Sequence, residues 1–511
     1  MVFAATDWVA YHAQHHGESL ALGCAEDGRQ ITWAQLEDRV AGVAATLSDL
    51  GVGPGDRVAL ISENDPRVFE VQFACMRLGA LFVPLNWRLH VSEIQEICLD
   101  ARPGVIVHDD GWAEIALAVA AKADIGQRLS LDAAQGVTDY ESAISAAAPY
   151  RATGWVSMDQ PTHILYTSGT TGRPKGALST NATLVWQALN TAHTTGYSQP
   201  GCHQLNAMPL FHAGGLNVMA NSILYFGGAV TTMQRFDPVN VLRHLTSQDP
   251  PITHFAAIPL FYQRIAETPG FATADLSHLR HGIIAGAIAS PELLQLWADR
   301  GFPLQPQYGG TEMGPMATAL DDEAANLDHA KRGSTGRAAL HTQIRLVDSD
   351  GHDVADGITG EIWLRGPSVT VGYWERDNAD YFTTDGWFRT GDSAYRDQSG
   401  FYCPVGRVKE MFKSGGENIY PAEVEQVLAL HPDVRDVGVV GVADGEWGEV
   451  GLAVVVPEPG AAITLDALNA FATQRLARYK LPKQLVLVDE LPRNVTGKLS
   501  REQLRSDHHG V

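Results

Sequence analysis

Cysteine is scarce in this chain, and what there is comes unpaired. Cys24, Cys75, Cys98, Cys202 and Cys403 are odd in number, far apart, and never arranged as Cys-x-x-Cys. That spacing indicates neither a disulfide framework nor a zinc ribbon, and it suits a reducing cytosol. Long apolar runs are missing too: none reaches eighteen residues, so no membrane-spanning helix is expected. Positive charge is in short supply, with 37 lysines and arginines against 59 acids and a formal net charge of −22. Such a surface repels polyanions, so nucleic acid is not expected as a general partner. Any anionic nucleotide would have to be held by local donors, a magnesium ion or a basic patch. Met1-Val2-Phe3-Ala4 carries no basic stretch and soon meets Asp7, unlike a signal peptide. Repeats, heptads and low-complexity tracts are absent, and the terminal His508-His509 is too short for a metal site. A cytoplasmic protein without a membrane span is the expectation.

What is present is globular. Hydrophobic residues make up 45% and charged residues 19% of 511 positions, enough for two or more domains. Thr32 with Gln35 three residues on reads as a capping box, followed by Trp33, Leu36, Val40, Val43, Leu47 and Leu50 on one helical face. Val58-Ala59-Leu60-Ile61 is a strand-length apolar run. Asn64-Asp65-Pro66 reads as the cap of a helix ending at Gly79, and Leu81-Phe82-Val83-Pro84-Leu85 is a further strand. Strand, helix, strand at this spacing predicts an α/β class with parallel pairing.

The densest cluster of chemistry lies at residues 166–177. A buried strand around His163-Ile164-Leu165 leads into Tyr166-Thr167-Ser168-Gly169-Thr170-Thr171-Gly172-Arg173-Pro174-Lys175-Gly176-Ala177. Hydroxyls and freed N–H groups donate, glycines allow close backbone approach, and the lysine adds a point charge. Those are the parts needed to wrap a polyphosphate. It is not a Walker A loop, because no Gly-Lys-Ser/Thr step precedes a helix. The stretch resembles the signature loop of the adenylate-forming superfamily: acyl-CoA synthetases, peptide-synthetase adenylation domains and firefly-type luciferases.

Four further segments resemble that family in the expected order. Tyr308-Gly309-Gly310-Thr311-Glu312-Met313 matches its Tyr-Gly-x-Thr-Glu motif: an aromatic to stack on adenine, a threonine for phosphate, and a carboxylate for magnesium, a hard cation that prefers oxygen. Thr390-Gly391-Asp392 places Asp392 as the ribose ligand. Gly406-Arg407-Val408-Lys409-Glu410 matches the junction between two domains, with Arg407 beside the ribose and Lys409 as hinge. Thr496-Gly497-Lys498 matches the terminal lysine motif, Lys498 bridging carboxylate and α-phosphate.

Other assignments are more open. Met208-Pro209-Leu210-Phe211-His212-Ala213-Gly214-Gly215 resembles the element bordering the acyl pocket, where His212 is a packing, gating or base residue. The run 283–287, with Ile284, Ala285, Gly286 and Ala287, either lines the adenine and the carboxylate pocket or simply packs a strand end. Gly310 and Met313 join the same pocket wall. Gly415-Gly416 offers bare backbone for a pantetheine arm. Trp447 is either a face for the adenine of CoA or a packing residue. Strands at 437–442 and 452–456 read as two β/α units. Arg475, Arg478, Lys480, Lys483, Arg493, Lys498, Arg501 and Arg505 form either a CoA-phosphate face or a solvated helix face.

The resemblance implies a large N-terminal domain of layered sheets and helices (1–406) and a small C-terminal α+β lid (407–511). It implies two half-reactions: carboxylate plus Mg·ATP gives acyl-AMP and pyrophosphate, then CoA gives acyl-CoA and AMP. Phe-Lys-Ser-Gly-Gly-Glu-Asn-Ile at 412–419 points to the fatty-acid and aryl-acid CoA ligase branch. Loading of a carrier protein, luciferase-like oxygenation and a silent nucleotide-binding regulator are the alternatives. The candidate pocket walls carry no arginine or lysine for a second carboxylate, so an apolar aliphatic or aromatic monoacid is expected.

Overall fold

The computed structural model describes residues 4–132, 137–150, 156–167, 174–314, 316–320, 327–331, 333–415, 417–493 and 499–508. Among the described residues the strands gather into four sheets. In the first, Arg57–Ile61 lies between Leu81–Pro84 and Val105–His108, all parallel, and Gln127–Ser130 extends that side. On the other side Pro161–Thr167 joins in parallel, and Lys175–Thr180 folds back on it as an antiparallel hairpin. The second sheet runs parallel through Ala229–Thr232, His203–Asn206, His254–Ala257, His281–Ile284 and Leu304–Tyr308.

Layering follows from patterning. The helix Trp33–Asp49 begins at the capping box that Thr32 and Gln35 announce, worth about 1 kcal/mol. Trp33, Leu36, Val40, Val43 and Leu47 are all fully buried. They share one core with Phe69 and Phe73 of Arg67–Leu78, with Val58 and Phe82 of the first sheet, and with Leu22 and Val230 of the second. These helices are therefore sandwiched between the two sheets. Ile94, Ile97, Cys98 and Val119 cover the first sheet's other face, and Tyr262, Leu294 and Trp297 cover the second's. Arg67–Leu78 ends at Gly79 in the left-handed region, as the glycine suggests.

One cap works differently from its sequence reading. Asp65 Oδ1 accepts from Arg67 N, but Asn64 is no cap. Its amide donates to Met208 O and Met233 O and accepts from Leu210 N, pinning the segment that leads to His212.

A third, antiparallel sheet of Gln343–Val347, Gly360–Arg365, Phe388–Arg396 and Tyr402–Arg407 closes the large unit. The small C-terminal unit has its own sheet and core, with Phe412, Val424, Val439, Val455 and Leu468 buried together. Its strands Val434–Asp444 and Gly448–Pro457 form one long antiparallel hairpin, correcting the expectation of two β/α units. The short turn at 445–447 leaves no room for a crossover helix, which a parallel pairing would need. All five cysteines are buried, and none is in a disulfide. Among the described residues no helix is long and apolar enough to cross a membrane.

Candidate active site

Strand pairing sets the geometry of the first motif. Thr167 and Lys175 face one another at the base of the hairpin, in register. Ser168, Gly169, Thr170, Thr171 and Gly172 lie between them, outside the described residues. Thr167 Oγ1 lies 3.2 Å from Glu312 Oε1, so the signature strand meets the Tyr-Gly-x-Thr-Glu segment directly. Glu312 is carried on a single 3-10 turn, Thr311–Met313, which stops at Gly314 with a left-handed φ of 74°. Tyr373 donates its hydroxyl to the same Glu312 oxygen at 2.9 Å. Burial and the adjacent carboxylate push the Tyr373 hydroxyl far above the ordinary tyrosine range, so it stays a donor.

Lys175 is held by aromatic faces. Its Nζ lies 4.6 Å from the centroid of Tyr381 and 5.8 Å from that of Tyr373, and the two rings meet edge to face. Tyr373 therefore touches both the carboxylate and the ammonium. Sequence reasoning missed it. It stands 61 residues from Glu312 in the chain, and nothing local in Gly372-Tyr373-Trp374 marks that pairing.

A second row crosses two sheets. Tyr308 donates to Asp392 Oδ2 at 2.7 Å, and Arg407 Nε lies 3.2 Å from Asp392 Oδ1. Asp392 and Arg407 are directly opposed across antiparallel strands. The Tyr308 hydroxyl is pushed well above its ordinary value, first by burial and then by Asp392. Gly309 and Gly310 link this tyrosine to the Thr311 turn, and Gly310 is extended rather than left-handed.

The acyl segment folds as a π-helix, Gly214–Asn221. Gly215 is fixed by sterics, since a Cβ there would stand 2.4 Å from Pro209 O. Gly214 N donates to His212 Nδ1 at 3.1 Å, so that ring nitrogen is an acceptor in the half-buried His212. Val218 and Met219 pack with Ala256, Ile283, Met208 and Ala285 in a small apolar cluster. The pleat turns Ile284 the other way, into the outer core with Leu294 and Trp297, so Ile283 rather than Ile284 faces this cluster. Met313 likewise packs beneath its own turn, with Ala177 and Phe388, and not in the apolar cluster. Gly286 takes a φ of 84° where the strand ends, leaving Ala287 exposed.

In the small unit Gly415 N donates to Trp447 O, and a Cβ on Gly415 would meet the Trp447 ring at 2.7 Å. Trp447 is 42% exposed and carries Lys483 Nζ 3.7 Å from its ring centroid. Arg475 lies over Phe471. Gly416 and Lys498 are outside the described residues, and Lys409 sits in the turn Val408–Glu410 that leads from Arg407 into the small unit. Three arms of the basic run are engaged by acids. Lys480 pairs with Glu423, Arg493 with Asp436, and Arg501 with both Glu410 and Glu425. Those three arms are occupied by acids more than 50 residues away in sequence, which the local charge count of the C-terminal stretch leaves out.

Comparison with known proteins gives this geometry a class. A profile of the AMP-binding enzyme family matches residues 9–374, and one of the AMP-binding enzyme C-terminal domain matches 423–498. The chain belongs to the AMP-binding enzyme family. It is 38% identical over 504 residues to an indoleacetate–CoA ligase of Aromatoleum aromaticum, covering 98% of this chain and 97% of that one. It is 40% identical over 479 residues to a feruloyl-CoA synthase of Amycolatopsis, covering 94% of each. Its fold superposes with a TM-score of 0.85 on the o-succinylbenzoate CoA synthetase of Bacillus subtilis, solved with its acyl-adenylate intermediate. That structure is 30% identical, with 99% of this chain and 98% of the other covered. By class the chain is an adenylate-forming acid–thiol ligase, for which a carboxylic acid, ATP and CoA are the fitting substrates.

Proposed function

We propose that this enzyme joins an apolar monocarboxylic acid, preferentially an aromatic one, to CoA. The acid is first activated as its acyl-adenylate. The observation that carries the reading is the convergence of Thr167, Lys175, Tyr308 and Asp392 from three sheets, and of Glu312 from the turn Thr311–Met313. The apolar cluster of Met208, Val218, Met219, Ala256, Ile283 and Ala285 supports the choice of acid, because it offers no cation to a second carboxylate. The indoleacetate and ferulate named for the relatives are aryl monoacids of this kind.

In the first half-reaction an acid oxygen attacks the α-phosphorus and pyrophosphate leaves. Attacking and leaving groups are both anionic, so the demand is for charge neutralisation and alignment rather than a base. Lys175 and the hydroxyls of Thr167, Ser168, Thr170 and Thr171, with the backbone of Gly169 and Gly172, hold the leaving pyrophosphate. Thr311 donates to phosphate, and Lys498 bridges the acid and the α-phosphate. Tyr308 flanks the adenine with Ala285, Gly286 and Ala287, while Asp392 and Arg407 take the ribose. Glu312 fits a magnesium site: it is an oxygen donor whose hydrogen bonds from described residues both go to Oε1. Magnesium, when bound, neutralises triphosphate charge.

In the second half-reaction the CoA sulfur attacks the acyl carbonyl carbon and AMP leaves. The small unit, from about residue 407, turns about Lys409 to bring Gly415 and Gly416 to the thiol path. Trp447, Lys483 and Arg475 receive the nucleotide end of CoA. His212 gates the pocket.

Carboxylate-dependent exchange of labelled pyrophosphate into ATP tests adenylation, and thioester formation with free CoA tests transfer. Exchange without any thioester on free CoA would move the reading to carrier-protein loading. No exchange with any aryl or alkyl acid would overturn it.

A further inference from the structure

The π-helix Gly214–Asn221 is fully enclosed from Gly215 onward, and its hydrogen-bond pattern is one that chains rarely keep without outside support. That support comes from a buried polar network on the side away from the apolar cluster. Gln72, on the helix Arg67–Leu78, donates from Nε2 to Asn221 Oδ1 at 2.7 Å and accepts from Asn221 Nδ2 at 3.2 Å. Asn221 Nδ2 also reaches Asn217 Oδ1 at 3.0 Å, and Ser222 Oγ donates to the Asn217 carbonyl five residues back. At the other end Asn206 Nδ2 donates to Gly215 O. Gln72 and Ser222 are completely buried, and Asn217 and Asn221 are 2% exposed. A paired amide in such a place is costly to leave half-made, and it has one satisfied arrangement.

The opposite side of this π-helix carries Val218 and Met219, which face Ile283 and Ala285. Slipping one residue from the π to the α pattern would rotate the following side chains by about 100°. We propose that the Gln72–Asn221 amide pair is a positioning device that locks the π-helical register and thereby sets which acids the enzyme accepts. Neither residue touches the acid; both act through Val218 and Met219. The inference rests on the acid-pocket reading above.

The test compares kcat/KM for indoleacetate and hexanoate by pyrophosphate release in wild type, Gln72→Met and the swap Q72N/N221Q. The first variant deletes both polar atoms at nearly constant length. The second rebuilds an amide pair with the same number of methylenes. Gln72→Met is expected to change the ratio of the two acids by about tenfold with the KM for ATP within about twofold, and the swap to restore it. A uniform fall across acids, or an unchanged ratio, overturns the proposal. Ser222→Ala, which removes a single hydroxyl, is read the same way if Gln72→Met does not fold. Hydrogen exchange at amides 214–221 gives a readout free of catalysis. It should quicken in the variant relative to the helix Asn181–Thr195, and equal exchange overturns the lock. A wild type inactive with every acid would count against the ligase reading, while the exchange result still decides this one.

Discussion

Tyr373 is the side chain on which the charged part of the site turns. It donates to Glu312 while its ring sits near Lys175, so one phenol orders a carboxylate and an ammonium together. A hydrogen bond to a charged group is worth about 1.5–3 kcal/mol, less where water shares the carboxylate. Tyr373→Phe should therefore raise the KM for Mg·ATP by about tenfold, with the KM for the acid within about twofold. Titrating the pyrophosphate-release rate against ATP at fixed acid checks it, and an equal change in both constants would show a general loss of structure. Lys498 gives a sharper division. Lys498→Ala should abolish acyl-AMP formation yet leave thiolysis of supplied acyl-AMP largely intact. Single-turnover assays of the two halves decide between this and a shared role, which would impair both alike.

Single elements show what their sequences carried and what they did not. The Thr32 capping box and the glycine stop at Gly79 stand where residue pattern puts them, because each is a local decision. Thr167, Lys175, Tyr308, Glu312 and Asp392 were legible because their motifs are contiguous. Tyr373, Gln72 and Asn221 were not, since their partners are distant in sequence and chosen by packing. Asn64 misled for the same reason: an Asn-Asp-Pro string looks like a cap until a remote segment claims the amide. The turn Thr311–Met313 is the most exacting short element. Gly314 ends it with φ 74°, and a Cβ there would stand 2.1 Å from Ser368 O. Gly314→Ala has to move either its own backbone or that of Ser368, costing about 3 kcal/mol or more. The urea midpoint should fall accordingly. An unchanged midpoint would mean that the turn yields more freely than its packing implies.

Across the whole molecule, buried histidines make the fold sensitive to acid. Burial lowers His163 and His281 to about 3, and His203 and His254 to about 4, from 6.5. A base held neutral in this way contributes stability that is complete above pH 6.5 and is lost as pH falls toward the folded values. Asp109 runs the other way: burial raises it to about 6, so its contribution is greatest below its unfolded value of 3.8 and lost as pH rises through 6. Burial lowers His12, His108 and His244 as well, so on unfolding the histidines together take up more protons than Asp109 releases, and stability should fall as pH drops from 6.5 toward 4. Urea unfolding at stepped pH measures that slope, and a flat profile from pH 7 to 4.5 would refute it.

The enclosure of all five thiols has a practical side. Burial raises the thiols of Cys24, Cys75, Cys98 and Cys202, with Cys98 reaching about 12, which leaves little thiolate to react. A single cysteine introduced at exposed Leu487 in the small unit and another at exposed Leu117 in the large one would outpace them all with maleimide dyes. Energy transfer between two such fluorophores would test the turn of the small unit proposed above, a constant signal during turnover counting against it, in a protein that keeps every native residue of its core.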